Sequence, residues 1–518
     1  MGGRNLLPHP AQRHSLKEEA ARKNRVGKFA MAESAPTTLR AEKYRGLLAA
    51  LQGIVGPEFV AADPATLYVY SQDLTENQPR WPVGVVMPAS THEVQRIVEE
   101  SNRYRVSLVP FAYGLNMGGL AIPAEEAVVV DLKRMRRILE VNEEDLYMIV
   151  EPGVTFGMIR AHLDRHHPGY RYSYPLAPPQ TSALSNALMD GLNNLSMRHG
   201  AMSEWVNGLE VVLPSGERVR VGSSAVVDSW HARVPLPDLA GLFLGWQGAT
   251  GIVTKGALQI WPAPPVRKRV FVACYDARTA YRILRDLCRK EIFDDLACVS
   301  WAPGKMLFGA RGDLALCPGE PLLYVYGDLY AETQAHLKIK ELIFEEVLGR
   351  LRKEGCLIED PLDVGDLVRI NPNYEKLAEF PTTLDFLLDY GPGGMTWVGS
   401  YGPGSSWAVG AERCFSILEE SGFPPILVSR PMKGGHFWVL RFILHFDKRD
   451  PREVERVRGV LSLLADTLLD LKYIPYKPPL WAVKKIRDRD RHGFFRLLER
   501  VKACLDPNGL FNPGRWGL

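Results

Sequence analysis

Residues 110–132, PFAYGLNMGGLAIPAEEAVVVDL, leave one β-rich run, spend Gly114, Gly118 and Gly119 within six residues, and re-enter another. Glycines in such a loop serve one of two ends. They supply the positive φ of a tight turn, or they remove the Cβ that would hold bare main-chain N–H groups away from an anionic ligand. The stretch alone leaves both readings open.

Working outward, 41–56 (AEKYRGLLAALQGIVG) and 92–103 (HEVQRIVEESNR) carry apolar residues at helical spacing. Around them lie short β-rich runs at 83–88, 107–111, 127–132 and 147–153, an alternation that predicts a small α/β unit ending in the glycine loop and its following strand. A second unit follows, with helices predicted over TFGMIRAHLDRHH and TSALSNALMDGL, the latter capped by Thr181 or Ser182, and a hairpin LEVVLPSGERVRV turning at PSG. The proline-rich WPAPPVRK at 261–268 marks a boundary. Beyond it RVFVACYD, PLLYVYGDLY and FWVLRFILHFD read as strands, and ARTAYRILRDLCRK, the long segment from AETQ and DPREVERVRGVLSLLADTLLDL as helices, giving an antiparallel sheet covered by helices.

A chain of 518 residues with 46% hydrophobic and 24% charged residues buries a large core as two or three domains. A formal charge of +3 gives no electrostatic support for a nucleic-acid partner. No run of 18 apolar residues exists, so no transmembrane segment is expected. Residues 1–40 read as a mobile basic leader without the apolar region of a secretory signal, with docking onto a partner or membrane surface as the alternative. The seven cysteines lack any CxxC spacing, which argues against a zinc site or iron–sulfur cluster and for free thiols in a reducing, cytoplasmic compartment.

Five features occur in order: PFAYGLNMGGLAIP; VVVDLKRMRRILEVNEEDLYMIVEPGVTFGMIRAHL; SALSNALMDGLNNLSMRHGAMSEWVNGLEVVLPSGERVR; DLAGLFLGWQGATGIVTKGALQIWPAP; and LDPNGLFNPGRWG. Together they resemble the flavoprotein family of vanillyl-alcohol oxidase and the p-cresol methylhydroxylase flavoprotein, and are also similar to the FAD-linked D-lactate and glycolate dehydrogenases, over nearly the whole chain from about residue 42. The resemblance implies an α+β enzyme with a two-part FAD-binding domain (41–264), an inserted antiparallel-sheet-plus-helices substrate domain (265–475) and a C-terminal segment (476–518) returning to the flavin. It implies that the loop of Ala112, Tyr113, Gly114, Leu115, Asn116, Met117, Gly118 and Gly119 cradles the FAD pyrophosphate, which several converging N–H donors hold well. It carries FAD contact over to Pro178, Thr181, Ser182 and Asn186, to Gly191, Arg198 and Gly200, to Val206, Gly251 and Ile252 on the adenine side, and to the terminal Asn512 and Arg515. Each of these also reads as a turn or cap residue. The loop is not a Rossmann GxGxxG, so nicotinamide is not predicted.

The substrate site departs from the family. Met117 stands where phenol-oxidising members have a loop tyrosine, Ala177 where they have an acid beside the flavin, and Tyr476 and Lys477 where a Tyr-Arg pair holds the phenolate. Lysine still neutralises an oxyanion, without the bidentate fork of arginine. The 2-hydroxy-acid members carry a histidine motif resembling HxGDGNxH; GGHFWVLRFILH offers only His436 and His445, nine apart, so no metal is expected. The catalytic candidates are therefore Tyr476 and Lys477, stabilising an anionic substrate, and His436 as base, with His445 read as a surface residue. Val439 and Leu440 occupy the tethering position, so the FAD is expected to be dissociable.

The implied function is hydride transfer to flavin N5 from a small hydroxyl-bearing or activated alkyl substrate, leaning to a para-substituted phenol or aromatic alcohol. A 2-hydroxy-acid dehydrogenase is the alternative. A flavin-bearing electron-relay subunit without its own substrate, its space filled by Met117 and Trp438, is a third reading. The partners implied are a small-molecule substrate, an electron-accepting cytochrome or iron–sulfur protein, and further copies of the chain as a homo-oligomer, with peripheral association to a membrane complex as an option.

Overall fold

The structure, a computed structural model, describes residues 38–307, 314–378, 385–388 and 390–518. The leader expected over 1–40 lies outside the described residues up to residue 37, and its last residues belong to the helix Thr38–Val55.

Three large sheets organise the described residues, beside a two-stranded pair of Tyr170–Arg171 with Trp261–Pro262. The first has the order Val60–Ala61, Gly84–Val86, Ala127–Asp131, Ser107–Phe111, with the last three strands parallel. Ala127–Asp131 lies between two strands and is buried throughout, which is why it reads AVVVD without polar alternation. The helix Thr91–Tyr104 leads from Gly84–Val86 to Ser107–Phe111. It starts where the Ser90 hydroxyl accepts from the Glu93 N–H and the Glu93 carboxylate accepts from the Ala89 N–H, a reciprocal cap worth about 1 kcal/mol. It stops at Arg105, which takes a left-handed conformation. Parallel strands end on one side, so the glycine loop after Phe111 and the buried Asp131 stand together at the carboxyl ends, where open α/β sheets hold ligands.

The chain terminus completes this sheet. Leu108 N–H donates to Leu510 O and Asn512 N–H donates to Leu108 O, each at 2.8 Å, so the tail runs along the open edge of Ser107–Phe111 and covers it. Lys502 anchors the tail by donating to Ala249 O (2.6 Å) and Phe511 O (2.9 Å).

The second sheet is antiparallel, in the order Ile138–Asn142, Tyr147–Val150, Ile252–Gln259, Val206–Val212, Arg218–Gly222. The third is an eight-stranded antiparallel sheet: Leu362–Asp363, Val266–Cys274, Leu323–Ala331, Asp295–Ser300, Ile426–Met432, Phe437–Phe446, Gly394–Gly402, Ile474–Pro475. The helices Ala277–Cys288, Gln334–Lys353, Trp407–Glu420 and Pro451–Asp470 bury their apolar stripes with one face of it. The strands Asp295–Ser300, Gly394–Gly402 and Ile426–Met432 are absent from the sequence reading.

Strand alternation places a different set on the opposite face. Asp295 pairs across from Asp328, Asp328 from Arg269, Arg430 from Val439, and Arg441 from Gly399 and Val428. This polar face turns toward the first two sheets: Arg430 donates to Asn193 O, and Val439 and Tyr476 pack with Leu192 and Ala201. The α+β architecture with an antiparallel sheet backed by helices is the one the sequence predicts.

Candidate active site

A cleft lies between the glycine loop, the segment 181–189, the segment 247–253 and Lys477. Of the residues expected at the cofactor, Ala112, Gly114, Leu115, Asn116, Thr181, Ser182, Asn186 and Gly251 line it, as does the catalytic candidate Lys477. Asn116 shapes the loop from within, its Oδ1 accepting from Gly118 N–H and from Leu120 N–H at 2.8 Å, while Asp73 accepts from Gly119 N–H at 2.9 Å. The N–H groups of residues 113–117 have no acceptor among the described residues. Gly118 is required by close approach, because a Cβ there would sit 2.8 Å from the Lys477 carbonyl oxygen.

Other expected residues support the cleft from behind. The Tyr113 hydroxyl donates to Gly153 O at 3.0 Å, and Thr181 N–H donates to Pro178 O at 2.9 Å. Ser182 caps the helix Ala183–Leu188, deciding between the two predicted caps, and its hydroxyl also donates to Pro152 O at 2.6 Å. Gly191 packs on Asn186, and Gly200 on Glu204. Val206 and Ile252 open adjacent buried strands. Asn512 donates to Gln247 O at 2.7 Å, and Arg515 donates to Gly119 O (2.9 Å) and Ile122 O (2.6 Å), so the terminus fixes the loop. Arg198 instead pairs with the buried Asp294 of the third-sheet unit. Met117 is buried without lining the cleft. Trp438 donates to Gly435 O and packs on Tyr281 and Trp407, so neither bulky residue plugs the space.

The polar centre of the site is Lys477. Its ammonium donates to Asn186 Oδ1, and its pKa is pushed down to about 7, first by burial and then by the positive charge of Arg441, with Asp190 opposing. Burial likewise raises the Asp190 carboxyl, against the pull of Ser203 and Lys477. The Tyr476 hydroxyl is raised by burial, with Arg441 opposing, and its ring stacks on Tyr401 at 4.5 Å and 13°. Asp190 and Arg441 are missed by the sequence reading.

The surface reading of His445 is corrected by the structure, and His436 is placed apart from the cleft lining. His436 is exposed at the turn Lys433–Gly435 and does not line the cleft, because the strand begins only at Phe437. His445 is not a surface residue: its Nε2 bonds Leu387 O at 2.7 Å, its Nδ1 is buried, and burial lowers its pKa.

A glycine loop at the carboxyl ends of parallel strands, backed by the C-terminal segment and faced by a desolvated lysine, lines one cleft. Residues 82–222 match the family described as FAD binding domain. It is 24% identical over 516 residues to the 4-cresol dehydrogenase [hydroxylating] flavoprotein subunit of Pseudomonas putida, covering 92% of this chain and 95% of that one. It is 32% identical over 246 residues to the glycolate oxidase subunit GlcD of Bacillus subtilis, covering 46% of this chain and half the length of that protein. In fold it matches p-cresol methylhydroxylase with substrate bound at a TM-score of 0.81 (21% identity, 92% and 97% of the two chains) and the 4-ethylphenol oxidase of Gulosibacter chungangensis at 0.80 (22% identity, 93% and 99%).

The cleft fits the dinucleotide. The free N–H groups of 113–117 suit a diphosphate, and two buried polar atoms at the cleft, Thr181 Oγ1 and Gln247 Oε1, have no partner among the described residues. A buried hydroxyl and amide oxygen left this way are costly without a ligand to complete them.

Proposed function

We propose that the protein oxidises a small aromatic alcohol or para-substituted phenol whose far end is anionic, phenolate or carboxylate. The observation that carries this is Lys477, a desolvated ammonium opening onto the cofactor cleft beside the buried hydroxyl of Tyr476. Bound FAD supplies the hydride acceptor. The free N–H groups of residues 113–117, with Thr181 and Gln247, would hold it. An anion beside Lys477 restores the protonated amine and so recovers the energy that burial removes, while Tyr476 donates to the same oxygen. Tyr401 stacks on Tyr476 and backs its ring.

Similarity along nine-tenths of the chain to a 4-cresol dehydrogenase supports the aromatic substrate. That relative is named as a subunit, which supports a protein electron acceptor for this chain. The test is anaerobic: phenols and aryl alcohols should bleach the flavin while aliphatic 2-hydroxy acids leave it oxidised. Bleaching by lactate or glycolate alone would transfer the assignment to the hydroxy-acid branch.

A further inference from the structure

The inner face of the eight-stranded sheet carries four arginines, and three are paired. Arg267 and Arg269 share Asp328, at 3.1 Å and 2.5 Å, and Arg430 pairs with Asp295 at 3.0 Å. Arg441, on the next strand, is only 5% exposed and has no carboxylate partner among the described residues. Its Nε is buried and unpartnered. Its guanidinium lies 4.7 Å over the Trp397 ring and 5.9 Å from that of Tyr476, whose hydroxyl it hydrogen-bonds.

A buried, unpaired cation is expensive, and here Lys477, a second cation, stands close enough to be affected by it. Ring contacts offset only part of that cost. A structural arginine would be expected to have an acid, as its three neighbours do. Arg441 instead contacts Tyr476, the residue before the cleft-lining Lys477, and its Nε is left without an acceptor among the described residues.

We propose that Arg441 is a substrate-binding residue, and that the anion it takes with Lys477 is a carboxylate on an aromatic substrate. The inference rests on the reading of Lys477 and Tyr476 given above and narrows it. A single phenolate oxygen cannot use a planar fork and an ammonium together as well as two carboxylate oxygens can, one oxygen pair facing the guanidinium and one lone pair the amine. Trp397, Tyr401 and Tyr476 supply the aromatic surround.

The test uses the FAD-loaded full chain and follows the flavin absorbance on titration with benzoate and with its uncharged counterpart benzamide. The parent protein should bind benzoate at least about tenfold more tightly. Arg441→Met should weaken benzoate roughly thirtyfold or more while leaving benzamide within about twofold, as expected when one partner of a buried charge pair is truncated. Arg441→Lys, which keeps the charge and loses the fork, should fall between. Should Arg441→Met not fold, the parent's preference and the Arg441→Lys ordering decide. Equal binding of the two probes by the parent, or equal weakening of both by either variant, overturns the proposal. Charge-blind binding in a protein whose flavin aryl alcohols still bleach defeats this inference alone. Selective benzoate binding with no bleaching by any aromatic alcohol defeats the proposed reaction and leaves the subsite standing.

Discussion

Lys477 gives a prediction whose sign depends on the substrate. Holding its pKa at about 7 in place of the ordinary 10.5 corresponds to roughly 5 kcal/mol of preference for the neutral amine. The titratable and charged groups facing it are Asp190, Arg441 and Tyr476. In the free protein the amine is charged below pH 7 and neutral above it. A carboxylate substrate, para-(hydroxymethyl)benzoate, stays ionised across this range and needs the charged amine, so kcat/KM should fall about tenfold from pH 6 to pH 8. The uncharged para-(hydroxymethyl)phenol must instead lose its proton to the amine, so kcat/KM should rise about tenfold over the same range. Lys477→Arg, fixed in the charged form, should flatten the benzoate profile. Steady-state rates under saturating electron acceptor measure both. A benzoate profile that is flat in the parent would mean an ordinary lysine and would refute the reasoning.

Further expectations concern the cofactor. Gly118→Ala drives a Cβ against the Lys477 carbonyl at 2.8 Å, an overpacking of about 1–3 kcal/mol, and should weaken FAD tenfold or more by equilibrium titration. Thr181→Val removes a buried hydroxyl that has no protein partner, so the melting temperature of the apoprotein should hold or rise while FAD affinity falls several-fold. His436→Ala should leave turnover within about twofold, since the ring is exposed and away from the cleft; a loss of more than about a hundredfold, the lower range of general-base catalysis, would restore it as a catalyst. With Val439 and Leu440 at the tethering position, acid precipitation should release the flavin to the supernatant; a yellow pellet would show a covalent bond.

Much of the fold was legible because its signals are local. The β-rich run at 127–132, the helical spacing of HEVQRIVEESNR and the strand FWVLRFILHFD were all read from neighbouring residues. What escaped was set by distant partners. GMTWVGSYG, 394–402, carries three glycines and was given no strand in the sequence reading, yet it is one. Gly399 is small because a Cβ there would meet the Tyr476 ring at 2.5 Å. The neighbouring ILVSRPM, 426–432, carries a proline and a charge that argued against a strand until Arg430 met Asp295 across the sheet.

The site divides in the same way. The glycine loop was legible because its glycines cluster in sequence, and Lys477 because it sits in a recognisable terminal segment. Gln247 lay unmarked within GWQGATG, and Asp190 within a helix end. Arg441 was hidden inside an apolar run, although a lone arginine amid ten strand residues was a usable signal. His436 belongs to the turn before the strand and does not line the cleft.

The most direct test of the account is a titration of the apoprotein with FAD followed by anaerobic addition of para-(hydroxymethyl)benzoate. The expected result is a yellow one-to-one complex that the alcohol bleaches, and that Gly118→Ala forms only at much higher FAD concentration. An apoprotein that remains colourless in excess FAD would contradict it.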